Sequence, residues 1–555
     1  MNLKQFRIFW LSGLLIVLTG CGGGGGGSSS PIARDSAPND GGDSVTDTTT
    51  FSGTVTYTDY PVTAAGIDYD SEQNKPVRGA VIQLLNSAGT EVASSNTNSD
   101  GSYLLSAIVS GTARILVKAA LGELGSVNTL VVDNTRNNAL YTLFTDVDVN
   151  SEAVIQNLNA GSGWDGSSYT GSRSAAPFSI LDVIYQAQQF VLSVDDSAIF
   201  PVLTVNWSTL NSSADGSISD GDIGTSFYQA DNIFILGNAN SDTDEYDKGV
   251  IAHEWGHYFD DNFSRLNSPG GRRSRGDILH PSLAWAEGFS TALAAMILDD
   301  PLYIDTVGLA QSFASVTNVE LDNDSDTATF SGGANPLLDG YYSENSVMEL
   351  IYDLFDTGPA DDDTIALGFA PIYQVLTDDL RTTKAFASLF PFLHYIKQQA
   401  PANSAAIDAL FFNENIDVAN ANEFDDPSDS ALPPMYTEVA AETTVVVDIN
   451  SEQLQTSDDY GFAGSFSEGN KLLNQRFFKA TAAGAACYTV TVRPVVPTAN
   501  ADLSLTFSDG FKVDIFFGGV SESRAISLSA GEVVTFNVGA FSNNARFNVS
   551  FISGC

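Results

Sequence analysis

Two histidines stand four residues apart in Val250-Ile251-Ala252-His253-Glu254-Trp255-Gly256-His257-Tyr258-Phe259, and no other feature constrains the fold so tightly. A helix sets residues i and i+4 on one face, one turn apart, where two imidazoles can share a metal ion. The segment is therefore expected to be helical, with His253 and His257 as ligands. Glu254, beside the first, is the expected base that takes a proton from an attacking water. The 555-residue chain holds only four histidines, so a chance H-E-x-x-H run is improbable on composition alone.

Catalytic zinc takes three protein ligands and keeps a fourth position for water. Glu287 is the expected third ligand. It lies in Leu283-Ala284-Trp285-Ala286-Glu287-Gly288-Phe289-Ser290-Thr291, in a helix that Pro281 can open and that carries apolar residues at Leu283, Phe289, Ala292, Leu293, Met296 and Ile297. A carboxylate in so apolar a helix needs a partner, and zinc supplies one. A structural salt bridge is the plain alternative.

Two helices bearing H-E-x-x-H and a later glutamate resemble the gluzincin metallopeptidases, the clan of thermolysin and the zinc aminopeptidases. Trp285-Ala286-Glu287-Gly288-Phe289 is similar to the aminopeptidase pattern W-x-N-E-G-F, and residues 231–238 are similar in place to the edge strand that holds substrate backbone in thermolysin-like enzymes. The resemblance implies a mostly helical catalytic domain with a small sheet, Zn2+ as cofactor, a peptide or protein substrate and a tyrosine that donates to the oxyanion. Tyr342 is the first choice for that donor, just before a helix that Ser343 can cap, with Tyr341 and His280 as rivals. Two departures matter. The G-x-M-E-N motif that reads a free amino terminus is missing, which points to endopeptidase action. Thr291 stands where thermolysin places an aspartate that orients a ligand, leaving Asp260 or Asp261 to take that part.

The flanking sequence reads as an envelope protein. Lys4 and Arg7 precede an apolar run, Ile8 to Val17, that ends at Leu18-Thr19-Gly20-Cys21, a secretory signal. The last four residues resemble a bacterial lipobox, which implies lipidation at Cys21 and a membrane anchor, and Gly22 after it implies sorting to the outer membrane. Residues 22–50 are Gly, Ser, Asp, Thr and Pro with almost no large apolar side chains, a tether that cannot repay the entropy of ordering. Cys487 and Cys555 then face an oxidising compartment and are expected to pair. The formal net charge of −44 repels polyanions, so nucleic acid is not an expected partner.

From residue 51 onward, apolar and polar positions alternate in short runs broken by Gly, Asn, Asp and Pro, as antiparallel strands do. Pro76-Val77-Arg78-Gly79-Ala80 and Thr97-Asn98-Ser99-Asp100-Gly101-Ser102-Tyr103 resemble the transthyretin-like, carboxypeptidase regulatory-like sandwich, with Asp-Gly at the turn. Strand patterns return beyond Thr443. The expected fold is thus α+β and multidomain: signal peptide 1–20, tether 21–50, transthyretin-like β-sandwich 51–149, zinc metallopeptidase domain 150–440 and C-terminal β-sandwich 441–555. Asp322-Asn323-Asp324-Ser325-Asp326 alternates carboxylates as a calcium loop does, without the sixth-position glycine or twelfth-position glutamate. It reads as a solvated acidic loop, as do residues 215–222 and Asp242, Asp244 and Asp247, and Ca2+ stays open as a second cation. Peptide hydrolysis is the expected function. The competing class is a binding or adhesin lipoprotein on an inactive metallopeptidase scaffold, and Glu254 separates the two, since a purely structural metal needs no base beside it.

Overall fold

The computed structural model describes residues 48–123, 125–271, 273, 277–319, 339–356, 365–416, 422–424, 435–450, 470–495, 503–510, 512–514, 521–540 and 544–555. The expected signal, Cys21, the tether up to residue 47 and the 322–326 run lie outside them. The described residues form one compact unit, β-rich and built of several sheets, with seven α-helices. No helix among them is long and apolar enough to cross a membrane.

The first strand, Thr49–Asp59, alternates its burial and centres a five-stranded sheet, pairing with Gln73–Pro76 and Ser102–Ala107 antiparallel and with Ala153–Ile155 and Leu158–Ala160 parallel. A four-stranded sheet, ordered Thr142–Val149, Gly111–Lys118, Val81–Leu85 and Glu91–Asn96, shares its core through Ile82, Leu84, Ile115 and Val117 against Phe51, Val55, Tyr57 and Leu105. Asp100-Gly101 makes the turn into Ser102–Ala107. Gly101 has φ of 76°, and a Cβ there would stand 2.5 Å from the Val55 carbonyl oxygen, so glycine alone fits.

The chain crosses residue 149 in both directions. Strands at 153–160 complete the first sheet, while Ser126–Asp133 leaves the sandwich to run parallel to Leu203–Trp207, which runs parallel to Asn232–Ile235. Parallel neighbours need a crossover, and helix α1 (Ala176–Leu192) supplies it, its buried Phe178, Ile180, Leu181, Ile184, Ala187 and Val191 spaced as the helical pattern demands. Asn232–Ile235 is not an edge strand, contrary to the expectation for residues 231–238. Phe227–Gln229 pairs along its other side and takes the outer position.

Helices α2 (Lys248–Phe263), α3 (Pro281–Leu298) and α4 (Glu344–Asp353) pack in succession. Two glycines let them approach. A Cβ on Gly256 would stand 2.8 Å from Ser290 Cα, and one on Gly288 would stand 2.5 Å from the Glu344 carbonyl oxygen and from Val347 Cβ. Between α3 and α4 the strands Leu302–Val307 and Phe313–Asn318 form a hairpin, which the helical reading of this region did not include. Beyond α4, the helices Phe369–Gln374, Leu389–Gln399 and Ser404–Asn413 finish the helical layer.

The C-terminal region is a second sandwich with its own core. A sheet ordered Tyr436–Val439, Gln475–Thr481, Val533–Ala540, Leu503–Phe507 and Lys512–Asp514 shares buried residues with one ordered Thr443–Asn450, Asn544–Ser553, Ala486–Pro494 and Glu522–Leu528. Phe478, Val490, Val492, Phe536, Phe547 and Val549 fill it. Cys487 and Cys555 are joined by a disulfide, with Cα atoms 5.9 Å apart. Met435, Leu472, Leu473 and Phe477 belong instead to the main core, which seats this sandwich on the helical layer.

Candidate metal centre

Apolar residues on α2 (Ile251, Ala252, Trp255, Phe259) and α3 (Leu283, Ala284, Trp285, Phe289) are buried, so the helices are pulled face to face through the hydrophobic effect. The contact at Gly256 and Gly288 sets their one polar stripe together. His253 Nε2 and His257 Nε2 are 3.1 Å apart, and each lies 3.3 Å from Glu287 Oε2. Donors on one tetrahedral zinc, at about 2.0–2.1 Å each, stand about 3.3–3.4 Å from one another. His253, His257 and Glu287 thus have the spacing, the atom types and the burial of a three-ligand zinc set.

The other ring nitrogens are held. Thr291 Oγ1 donates its single hydrogen to the Glu287 main-chain carbonyl at 3.1 Å, so toward His253 Nδ1, 3.0 Å away, it accepts. His253 therefore carries its proton on Nδ1 and turns the Nε2 lone pair inward. Ser290 Oγ is 3.1 Å from His257 Nδ1 and holds the second ring, the direction of that hydrogen bond following the ring's tautomer. The two Nε2 atoms, 3.1 Å apart, call for a proton or a cation between them. Thr291 and Ser290 thus meet the two rings; Asp260 is fully buried and makes no hydrogen bond to either ring, and burial pushes its pKa up to about 7, against the opposing charge of His257. Asp261 accepts from the Tyr228 hydroxyl.

Charge balance follows the same geometry. Burial disfavours the Glu287 carboxylate, yet His257 and the Arg273 guanidinium hold its pKa well below the usual range, so it is an anion. Burial likewise disfavours the His257 imidazolium, and Glu287 outweighs it, raising that pKa. Arg273 Nη2 lies 2.7 Å from Glu287 Oε2, and its Nε donates to Glu344 at the start of α4. Tyr303, on the hairpin, packs its ring edge-on at 5.9 Å from the His253 ring and covers Gly249 one turn earlier. Glu254 is 7% exposed, and its charge acts on both His257 and the Tyr303 hydroxyl.

The other expected residues lie as follows. Tyr342 is buried, and its hydroxyl donates to the Asp339 carbonyl at 3.1 Å. Tyr341 is buried against Tyr342 and Phe390. His280 caps α3, its Nδ1 accepting from the Ser282 N–H at 3.1 Å, with its ring against Phe477. Asp242, Asp244 and Asp247 do not form a solvated loop: Asp244 and Asp247 are 3% and 0% exposed. Arg273, Tyr303, Ser290 and the two glycines escaped the sequence reading. A signal for the glycines was present, because glycine inside a helix costs about 1 kcal/mol relative to alanine and marks a contact.

No protein-family model matches the chain, and no curated protein sequence matches it. Among solved structures it is similar to the pre-peptidase C-terminal domain of a collagenase from Bacillus anthracis, at 9% identity over 22% of this chain and 97% of that one, with a TM-score of 0.15. A 9R-lipoxygenase from Cyanothece is similar at 7% identity over 30% of this chain and 27% of that one, with a TM-score of 0.14. Neither likeness carries an argument about fold or activity. The site rests on its own geometry.

Proposed function

We propose that this chain is a gluzincin-type zinc metallopeptidase, an endopeptidase held in the cell envelope by a lipid on Cys21. The observation that carries the reading is the convergence of His253 Nε2, His257 Nε2 and Glu287 Oε2 within 3.3 Å, with Glu254 on the same helix beside them. A zinc ion held by these three would supply a Lewis acid at the scissile carbonyl.

The remaining work falls to the chain. Glu254, sequestered in an apolar helix, takes the proton of the attacking water and returns it to the leaving amine. Ser290 and Thr291 fix both imidazoles. Arg273 is the group we assign to the developing oxyanion, since its side chain is 31% exposed and already reaches Glu287. It takes precedence over Tyr342, whose hydroxyl proton is committed to the Asp339 carbonyl.

Glu254→Gln tests the assignment. The variant should keep one zinc per chain and cleave a proteome-derived peptide library at least about 10²-fold more slowly. His253→Ala and His257→Ala should lose the zinc itself. Wild-type cleavage by zinc-loaded Glu254→Gln would refute the mechanism, and a zinc-loaded wild type that cleaves no peptide would favour the binding scaffold. For the anchor, mass spectrometry should find a mature chain beginning at lipidated Cys21.

A further inference from the structure

A second group of carboxylates lies where the segment entering α2 meets the hairpin that follows α3. Asp242, Asp244 and Asp305 each offer an oxygen, and the three lie within 4.8 Å of one another. Backbone register brings them there. Asp242 pairs across from Val307, and Asp305, two residues earlier on that strand, projects from the same face. No Lys or Arg among the described residues forms an ion pair with any of them.

Acidic clusters alone are common, and the decisive observation is a different one. Asp244 is 3% exposed; its Oδ2 accepts from the Ser226 hydroxyl, while its Oδ1 is buried with no hydrogen-bond partner. Asp242 Oδ1 is likewise buried and unpartnered. Buried carboxylate oxygens without donors are costly, and they need a proton or a cation. Neighbouring Asp247 is the contrast: the Thr306 N–H and hydroxyl satisfy both its oxygens, so the strand is already tied to α2 without help from the other three.

We propose that Asp242, Asp244 and Asp305 form a divalent cation site, and that the ion is calcium. The donors are all hard oxygens, with no His or Cys in the group, and two oxygens on one calcium ion at about 2.4 Å can stand up to about 4.8 Å apart. The site adds to the Asp247–Thr306 tie, linking the segment that enters α2 to the strand Leu302–Val307 and so to Tyr303, whose ring meets that of His253.

The test uses the full-length protein, treated with EGTA and replenished with zinc, then titrated with CaCl2 by calorimetry and thermal unfolding. One saturable site per chain is expected, with Tm rising on the order of 2–5 °C. Asp244→Asn should weaken calcium binding at least about tenfold while zinc content per chain is unchanged. Should that variant fail to fold, Asp305→Asn, at a partly exposed position, is read in the same way. Absence of saturable binding by the wild type up to about 10 mM calcium would overturn the proposal. So would unchanged affinity in Asp305→Asn and in folded Asp244→Asn, which would assign the ion to acidic loops elsewhere. Zinc is counted separately, so failure here leaves the peptidase reading standing.

Discussion

The Thr291 hydroxyl accepts from His253 Nδ1 at 3.0 Å because its own hydrogen is given to the Glu287 carbonyl. One side chain thereby links two of the three residues proposed to hold zinc, through the Glu287 main chain, and sets the tautomer of His253. Thr291→Val keeps the shape and removes the acceptor. Zinc affinity should fall about 10- to 100-fold with little change in fold, as read by chelator competition. Unchanged affinity would show that packing alone aims the ring.

Gly256 sits inside the H-E-x-x-H run for a steric reason, since a Cβ there would stand 2.8 Å from Ser290 Cα. Backbone cannot turn aside as a flexible side chain can. Gly256→Ala should therefore force α2 from α3, costing about 1–3 kcal/mol in denaturant unfolding despite alanine's better helix propensity. Because Ser290 also meets His257, zinc content should drop as well. A variant as stable as the wild type that retained full zinc would deny the close contact its role.

What the sequence discloses and what it hides follow physical lines. The i,i+4 histidines disclose their helix because the periodicity of an α-helix is local, and Pro281 and Ser343 likewise mark the starts of α3 and α4. The hairpin Leu302–Asn318 stayed hidden. Its two strands are close in sequence, but apolar Leu302, Leu309 and Phe313 are exposed, which blurs any strand alternation. The place of Tyr342 was inferred from a family habit and not from a contact, and so the Asp339 carbonyl that takes its proton was invisible. The burial of Asp244 and Asp247 could not be read either, because an acidic run looks solvated until tertiary structure closes over it.

The Cys487–Cys555 bridge closes a loop with a sequence separation of 68 and ties down the last strand, Asn544–Ser553. On the chain-entropy account such a loop contributes about 4 kcal/mol to the sandwich that contains it. Cys555→Ser should lower the thermal transition of the C-terminal sandwich and open it to protease, while zinc content stays at the wild-type level. Loss of zinc in this variant would mean that the two cores do not melt separately.

His280 gives the fold a pH dependence of definite sign. Burial lowers its pKa to about 3, because the ring lies against Phe477 and its Nδ1 must stay unprotonated to accept the Ser282 N–H. The unfolded value is about 6.5, so above that pH both states are neutral and the group adds no slope. Between about 6.5 and 3 the unfolded chain binds a proton that the folded chain refuses, so stability falls as pH falls, by about 1.4 kcal/mol per unit. From pH 7 to pH 5 this one residue should cost about 2 kcal/mol. Asn caps helices and does not titrate, so His280→Asn should be less stable than the wild type at pH 7, through lost ring packing, yet lose about 2 kcal/mol less on acidification. Denaturant unfolding at both pH values provides the comparison, and parallel losses in the two proteins would show that the folded imidazole is protonated as readily as the unfolded one.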